Sequence, residues 1–437
     1  SGTVTSVPCA FSVEEAIEQG LCHSPDLLAT RASDPVARAT LNVARTYPLN
    51  PYVQIQHLPN QSFPGGVQTH YVLLMQTLQL PRKQDHREEV AAAALNATEW
   101  NIRSAELQNV ATTRRLYENV VYLRELSRLA RTNLDHVTQA LDFHAARHAD
   151  GQGSELDFRN AHWDQNLASR AHGVAEAAWQ DARDQLARHL GVQREFSQNW
   201  VFDPLSQSVA RVMAPPSTLA HAGLTSPGVA DPSELTGYLT TLAHSRPDQQ
   251  AAQCEVESSR AAWELAKANR IPDLQIGPYY QQSQSTERFY GFRAQMDIPV
   301  WNSGRPMERQ RNAEYQRQLT LASAQSQRAL SEVRDAWSRF ERAFEDFTSH
   351  PPQSELDVIE DQLESDMKAG RITVLVANPQ RNRIIQQRRM LADIQNELIL
   401  AAIGFQTATG LETFQNDGMS PANLKPPPGN SAPLDPN

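Results

Sequence analysis

Two spacings of apolar residues run along this chain. Over Phe292-Arg293-Ala294-Gln295-Met296-Asp297-Ile298, apolar and polar residues alternate strictly. Phe292, Ala294, Met296 and Ile298 fall on one side, and Arg293, Gln295 and Asp297 on the other. Tyr52 to Gln56 alternates likewise, setting Val53 and Ile55 against Gln54 and Gln56. A two-residue period predicts strands with one apolar and one polar face. The second spacing is helical. Leu107, Val110, Leu116, Val120, Leu123, Leu126 and Leu129 recur at helical spacing, with Arg114, Arg115, Glu118, Arg124 and Glu125 between them. Arg82 to Asp150 contains neither Gly nor Pro, and so predicts one helix of about 69 residues, roughly 100 Å long.

The whole pattern occurs twice. Ser24-Pro25-Asp26 opens a helical run that ends at Pro48 to Pro51, and strands at 52–57 and 71–80 follow across a loop with Pro59, Pro64, Gly65 and Gly66. Arg246-Pro247-Asp248 repeats the opening 222 residues later, Pro272 ends that run, and strands at 274–282 and 292–300 follow. Each strand pair precedes a long helical hairpin. The first hairpin, 82–190, turns at Gly151-Gln152-Gly153, with Ser154 as N-cap. The second turns at Gly370, and its outgoing helix is broken by Pro351-Pro352. Gly151-x-x-Ser154-x-Leu156 is matched by Gly370-x-x-Thr373-x-Leu375, and both halves close on glycine, at Gly191 and Gly410. The sequence therefore divides into a first repeat (1–191), an irregular Pro-rich connection (192–232), a second repeat (233–410) and a Pro-rich tail (411–437).

Composition changes the picture in three places. A net charge of −10 argues against nucleic acid as a partner. No apolar run reaches the roughly 18 residues of a membrane helix, so any membrane crossing falls to the strands. Of three cysteines, Cys9 and Cys22 flank a short helical segment and are placed to pair in an oxidising compartment; Cys9 also admits lipidation, although Pro8 does not suit a lipobox. The chain begins at Ser1 without Met, which reads as a processed or trimmed N-terminus.

Strands with one polar face suit a β-barrel around a wet lumen, which makes Gln54, Gln56, Arg293, Gln295 and Asp297 lumen-facing and Val53, Ile55, Ala294, Met296 and Ile298 lipid-facing. Four strands do not close a channel, and an open edge in lipid leaves backbone groups unsatisfied, so several chains must contribute; three would give twelve strands. The competing reading is a soluble coiled-coil scaffold whose hairpins pack on helices.

Further motifs join the order and spacing of these elements. Phe11-Ser12-Val13-Glu14-Glu15-Ala16-Ile17 precedes Ser24-Pro25-Asp26-Leu27. Met75-Gln76-Thr77-Leu78-Gln79-Leu80-Pro81 leads into the first long helix, and Asp297-Ile298-Pro299-Val300-Trp301-Asn302-Ser303-Gly304 into the second. Together with Gly370-Arg371-Ile372-Thr373-Val374-Leu375 they resemble the TolC-like outer-membrane efflux and secretion factors, over about residues 11–410. The resemblance implies a mainly α fold with a membrane β-barrel: a homotrimer with a 12-stranded barrel in the outer membrane of a Gram-negative bacterium and an α-helical barrel in the periplasm. It implies a passive exit duct, in contact with outer-membrane lipid, that docks a periplasmic adaptor and an inner-membrane transporter. That transporter is an ABC exporter for type I protein secretion, or a proton-driven pump for small-molecule or metal efflux.

The resemblance further implies adaptor docking at the hairpin tips, at Gly151, Gly153, Ser154 and Leu156 and at Gly370, Thr373, Val374 and Leu375. Family members place carboxylates just past the turns. Asp157 fits the first turn, but Val376 and Pro379 stand where the second would be acidic, and Arg371 sits one place early. The constriction is therefore either apolar or set by the gate candidates Asp157 and Arg371. His144 and His148, four apart with Asp150 near, have a metal-compatible spacing but read more simply as surface histidines. Arg82, Lys83, His86 and Arg87 form a basic cluster placed either for lipid phosphates or as a solvated helix start. No nucleotide loop, dinucleotide fingerprint, zinc-protease motif or nucleophile elbow is present, and neither catalysis nor a cofactor is expected.

Overall fold

A computed structural model describes residues 9–59, 68–80, 82–193, 197–213, 232–282, 287–301 and 303–410. The loop at 60–67, Pro81, Asn302, most of the Pro-rich stretch at 214–231 and the tail at 411–437 lie outside the described residues. The elements are β1 (Cys9–Ala10), α1 (Val13–His23), α2 (Pro25–Arg31), α3 (Ser33–Arg45), β2 (Tyr52–Pro59), β3 (Gln68–Leu78), α4 (Lys83–Ala149), α5 (Glu155–His189) and β4 (Trp200–Val201). They continue with α6 (Leu205–Met213), α7 (Pro232–Ser245), α8 (Pro247–Ala268), β5 (Leu274–Gln282), β6 (Arg288–Met296), α9 (Arg305–Ser349), α10 (Gln353–Lys368) and α11 (Val374–Thr409). No described helix is long and apolar enough to cross a membrane.

The chain forms two compact units, and each draws on both repeats. One comprises Ser1–Leu28, Ala105–Ala243 and Ala329–Asn437; the other comprises Ala29–Ser104 and His244–Arg328. In the first unit, the buried core gathers Tyr117, Val120 and Val121 of α4, Leu186 of α5, Leu190, and Ile399 and Ile403 of α11. Residues of α1 and α6 complete it. α1 begins with a capping box, in which Ser12 accepts from the Glu15 backbone and the Glu15 carboxylate accepts from the Ser12 backbone. Phe11 stacks on Trp200 at 4.2 Å, beside the short parallel pair of β1 and β4. The Tyr117 hydroxyl donates to the Phe11 carbonyl at 2.9 Å, and burial raises its pKa well above the ordinary tyrosine value.

The second unit carries a four-stranded antiparallel sheet of order β2-β3-β5-β6. Tyr52 pairs with Met75, Leu73 with Tyr279, and Tyr279 with Gly291. β3 and β5 approach unusually closely at Gly277: a Cβ there would lie 1.8 Å from the Leu74 carbonyl oxygen, so only glycine fits. At the base of the sheet, the Lys83 ammonium donates to Asp273 at 2.7 Å and to the Ile271 carbonyl at 2.6 Å.

Three expectations need correction. The last strand runs from Arg288 to Met296 rather than over 292–300, so Asp297 and Ile298 lie beyond it and strand parity assigns them no face. Pro299 lacks an amide hydrogen, and Val300 donates to the Ile298 carbonyl at 2.8 Å, turning the chain out of the ladder. β3 ends at Leu78 rather than Leu80, because the Tyr47 hydroxyl donates to the Thr77 carbonyl and accepts from the Gln79 backbone. The 192–232 connection is not irregular throughout: it includes β4 and α6, whose Leu205, Ser208 and Val209 are buried. In the basic cluster Lys83 pairs with Asp273, Arg82 with Asp85, and Arg87 donates to the side chains of Gln84 and Gln79. Cys22 and Cys254 are free thiols.

Candidate functional site

The candidate working surfaces are the two faces of the sheet and the two helical turns. Residues paired directly across strands share a face. By the register, Gln54, Gln56, Arg293 and Gln295 lie on one face with Tyr52, Tyr71, Tyr279, Gln275 and Gln281. Val53, Ile55, Ala294 and Met296 lie on the other, with Val72, Leu74, Leu78, Tyr290 and Phe292. On the first face, side chains meet over an intervening strand: the Tyr52 hydroxyl donates to Gln275 Oε1 at 3.3 Å, and Arg293 donates to the Tyr71 hydroxyl at 3.3 Å. Such reach across a strand marks the concave side, where side chains converge. The opposite face exposes Val53, Ile55, Leu74, Tyr290, Phe292 and Met296. Tyr279, Gln275 and Gln281 were not singled out by sequence, because Gly277 and Pro278 interrupt the alternation in β5.

Both helical turns are built on a left-handed glycine. Gly151 has φ of 71° and Gly370 of 68°. In the first turn the Gln152 and Gly153 amides both donate to the Arg147 carbonyl at 2.9 Å, and Gly151 donates to the His148 carbonyl. In the second, Gly370 donates to the Met367 carbonyl and Arg371 to the Asp366 carbonyl. These bonds satisfy the last carbonyls of α4 and α10. A Cβ at Gly151 or Gly370 would meet nothing within 4 Å, whereas one at Gly153 would meet the His148 backbone at 2.9 Å. The Ser154 side chain accepts from the Leu156 amide; Thr373 occupies the matching N-cap without a side-chain bond. Leu156, Asp157 and Leu375 are exposed, and Val374 is half-buried.

Each turn carries charge pairs of its own. Arg371 donates to Asp366 at 2.8 Å on its own hairpin and is not brought to Asp157. His148 is 3.2 Å from Glu155 and stacks on Phe158, closing the first turn instead of joining His144 in a metal pair. The break at Pro351-Pro352 separates α9 from α10, and Pro379 stands inside the first turns of α11. Arg388 of α11 bridges Asp357, at 2.7 Å, and Glu360, both on α10. Along α5, Leu156, Trp163, Leu167 and Val174 are exposed at spacings of seven, four and seven, an apolar stripe on one helix face.

Residues 16–192 match the family described as outer membrane efflux protein. The chain is 24% identical over 329 residues to a pyoverdine export outer membrane protein, OpmQ, of Pseudomonas putida, and 26% identical over 336 residues to OpmQ of Pseudomonas aeruginosa. Each match takes in 73% of this chain and 65% of the relative, so the chain spans just under two thirds of the length of these relatives. The outer-membrane channel OprN superposes with a TM-score of 0.68 at 18% identity, over 92% of this chain and 90% of that one. The open-state Neisseria gonorrhoeae MtrE outer membrane channel gives 0.66 at 17% identity, over 94% and 93%. Residues 16–192 are thus similar to the outer membrane efflux protein family, and the chain shares the TolC-like fold of these channels over more than nine-tenths of its length.

Proposed function

We propose that this protein is the outer-membrane exit duct of a tripartite export system in a Gram-negative envelope, extending into the periplasm. The observation that carries the reading is the sheet. Its exposed face carries Val53, Ile55, Leu74, Tyr290, Phe292 and Met296, with His57, His70 and Arg288 at one end; its concave face holds Gln54, Gln56, Arg293 and Gln295, and among the described residues nothing pairs with the outer edges of β2 and β6. In lipid, those edges must be satisfied by other copies of the same sheet, which a homotrimer with a 12-stranded barrel provides. The exposed stripe of Leu156, Trp163, Leu167 and Val174 on α5 supports the same conclusion, since a second copy supplies the surface that covers it. Val53, Ile55, Ala294 and Met296 then face lipid, and Gln54, Gln56, Arg293 and Gln295 the lumen.

The tips at Gly151–Leu156 and Gly370–Leu375 dock a periplasmic adaptor, and an inner-membrane transporter supplies the energy. The two curated relatives are named for export of pyoverdine, which favours efflux over type I protein secretion. Gating runs through the second hairpin. The Pro351-Pro352 break lets α10 swing, and Arg388 latches α10 to α11 through Asp357 and Glu360. Reconstitution into planar bilayers tests the reading: it requires discrete conducting channels, and a protein that remains soluble and inert without detergent excludes it.

A further inference from the structure

The geometry points to a divalent transition-metal site formed by His86, Glu89 and Glu264. His86 and Glu89 stand three apart on α4 and share one helix face. Glu264 reaches the same point from α8, a helix of the other repeat within the same compact unit. His86 Nδ1 lies 3.0 Å from Glu89 Oε2 and 3.8 Å from Glu264 Oε2. One donor atom from each of the three falls within 4.8 Å of the others. Tetrahedral coordination at zinc bond lengths sets ligand atoms about 3.4 Å apart, so small side-chain rotations bring the three donors around one ion.

Two further features favour an ion. The Glu264 carboxylate is divided: Oε1 lies 3.4 Å from Arg260, which leaves Oε2 aimed at the imidazole. The His86 side chain is only 19% exposed, so a cation there is partly shielded from water. Two carboxylates converging on one imidazole nitrogen make a negatively charged pocket, which a metal cation would neutralise. One imidazole nitrogen with two carboxylate oxygens suits zinc, cobalt or nickel rather than magnesium or calcium, which take oxygen ligands alone. A bound ion would tie α4 to α8 beside the base of the sheet, and solvent completes its coordination.

The test uses full-length protein in detergent, with zinc as the probe. Competition against a chromophoric chelator measures affinity, and cobalt(II) absorption reports geometry. The expected result is one saturable zinc per chain, a tetrahedral cobalt spectrum and a zinc-dependent rise in the unfolding midpoint. His86→Gln and Glu264→Gln should each weaken binding by at least about tenfold and abolish the rise. Glu255→Gln, elsewhere on α8, should change neither. Affinity unaltered by both site substitutions would place the metal at other histidines and overturn the proposal. A wild-type protein whose unfolding midpoint ignores zinc would assign the cluster to hydrogen bonding between the imidazole and the carboxylates, and overturn it equally.

Discussion

Arg82 and Gly304, 222 residues apart, enter the two long helices through the same left-handed backbone, with φ of 51° and 72°. Arg82 is the only described residue other than glycine with positive φ. The separation equals the offset of the two Pro-Asp helix openings, so these are equivalent positions of the repeat. Each strand must hand over to its helix through a turn that favours glycine; the second repeat supplies one, while the first tolerates arginine, held by an ion pair with Asp85. Arg82→Gly should raise the unfolding midpoint. Gly304→Ala should lower stability by about 1 kcal/mol or more, because a Cβ there also meets Arg270 Cγ at 3.0 Å. Thermal unfolding of the two variants checks the pair, and shifts of the same sign would refute the equivalence.

The two faces of β6 make opposite predictions for neighbouring residues. Met296→Arg puts a charge on the apolar face and should cost roughly 2–4 kcal/mol near the bilayer middle, or less toward the interface. Gln295→Arg points to the concave face and should cost far less. An outer-membrane insertion assay compares them, and equal defects would mean that the facing is misassigned.

Acidification should loosen the first compact unit through His189. Its Nε2 lies 3.0 Å from Thr113 Oγ1, and burial holds its pKa below the ordinary histidine value of 6.5. A histidine buried neutral binds fewer protons folded than unfolded. Its contribution is therefore complete above 6.5 and is lost as pH falls below that value toward the folded pKa. His189→Gln keeps a hydrogen-bonding side chain without the charge, and should flatten stability against pH over that window. An unchanged slope in denaturant titrations would exclude His189 as a source.

The hinge and its latch should act in opposite directions. Arg388→Met frees Asp357 and Glu360, costs roughly 1–3 kcal/mol of α10–α11 association, and should raise basal conductance. Replacing both Pro351 and Pro352 with alanine should stiffen the outgoing helix and hold the tip shut. Single-channel recording with and without adaptor reads both. If opening is unchanged in the double alanine variant, the break plays no part in gating.

The turns of this fold were legible because they are written in glycine and proline, whose backbone limits show in any sequence. Gly151, Gly191, Gly370 and Gly410 all take the left-handed conformation, and Pro351-Pro352 does separate two helices. Strand ends were less legible. The start of β6 is masked by Gly291, which Tyr279 covers from the next strand, and the end of β3 depends on Tyr47, some thirty residues earlier. α6 was obscured by the prolines around it, although Leu205 and Val209 stand at helical spacing. Pairings distant in sequence left no signal at all. Arg388 with Glu360, Lys83 with Asp273, and Glu264 with His86 join residues 28, 190 and 178 positions apart. The apolar stripe on α5 was readable from its spacing, and its exposure emerged only from the fold.

In the proposed duct the open edges of β2 and β6 are closed by other copies of the chain. Mass measurement of the detergent-solubilised protein by multi-angle light scattering tests it most directly. The expected result is a single species of three chains, which forms only when detergent or lipid is present. A monodisperse monomer, or an assembly equally stable in detergent-free buffer, would contradict it.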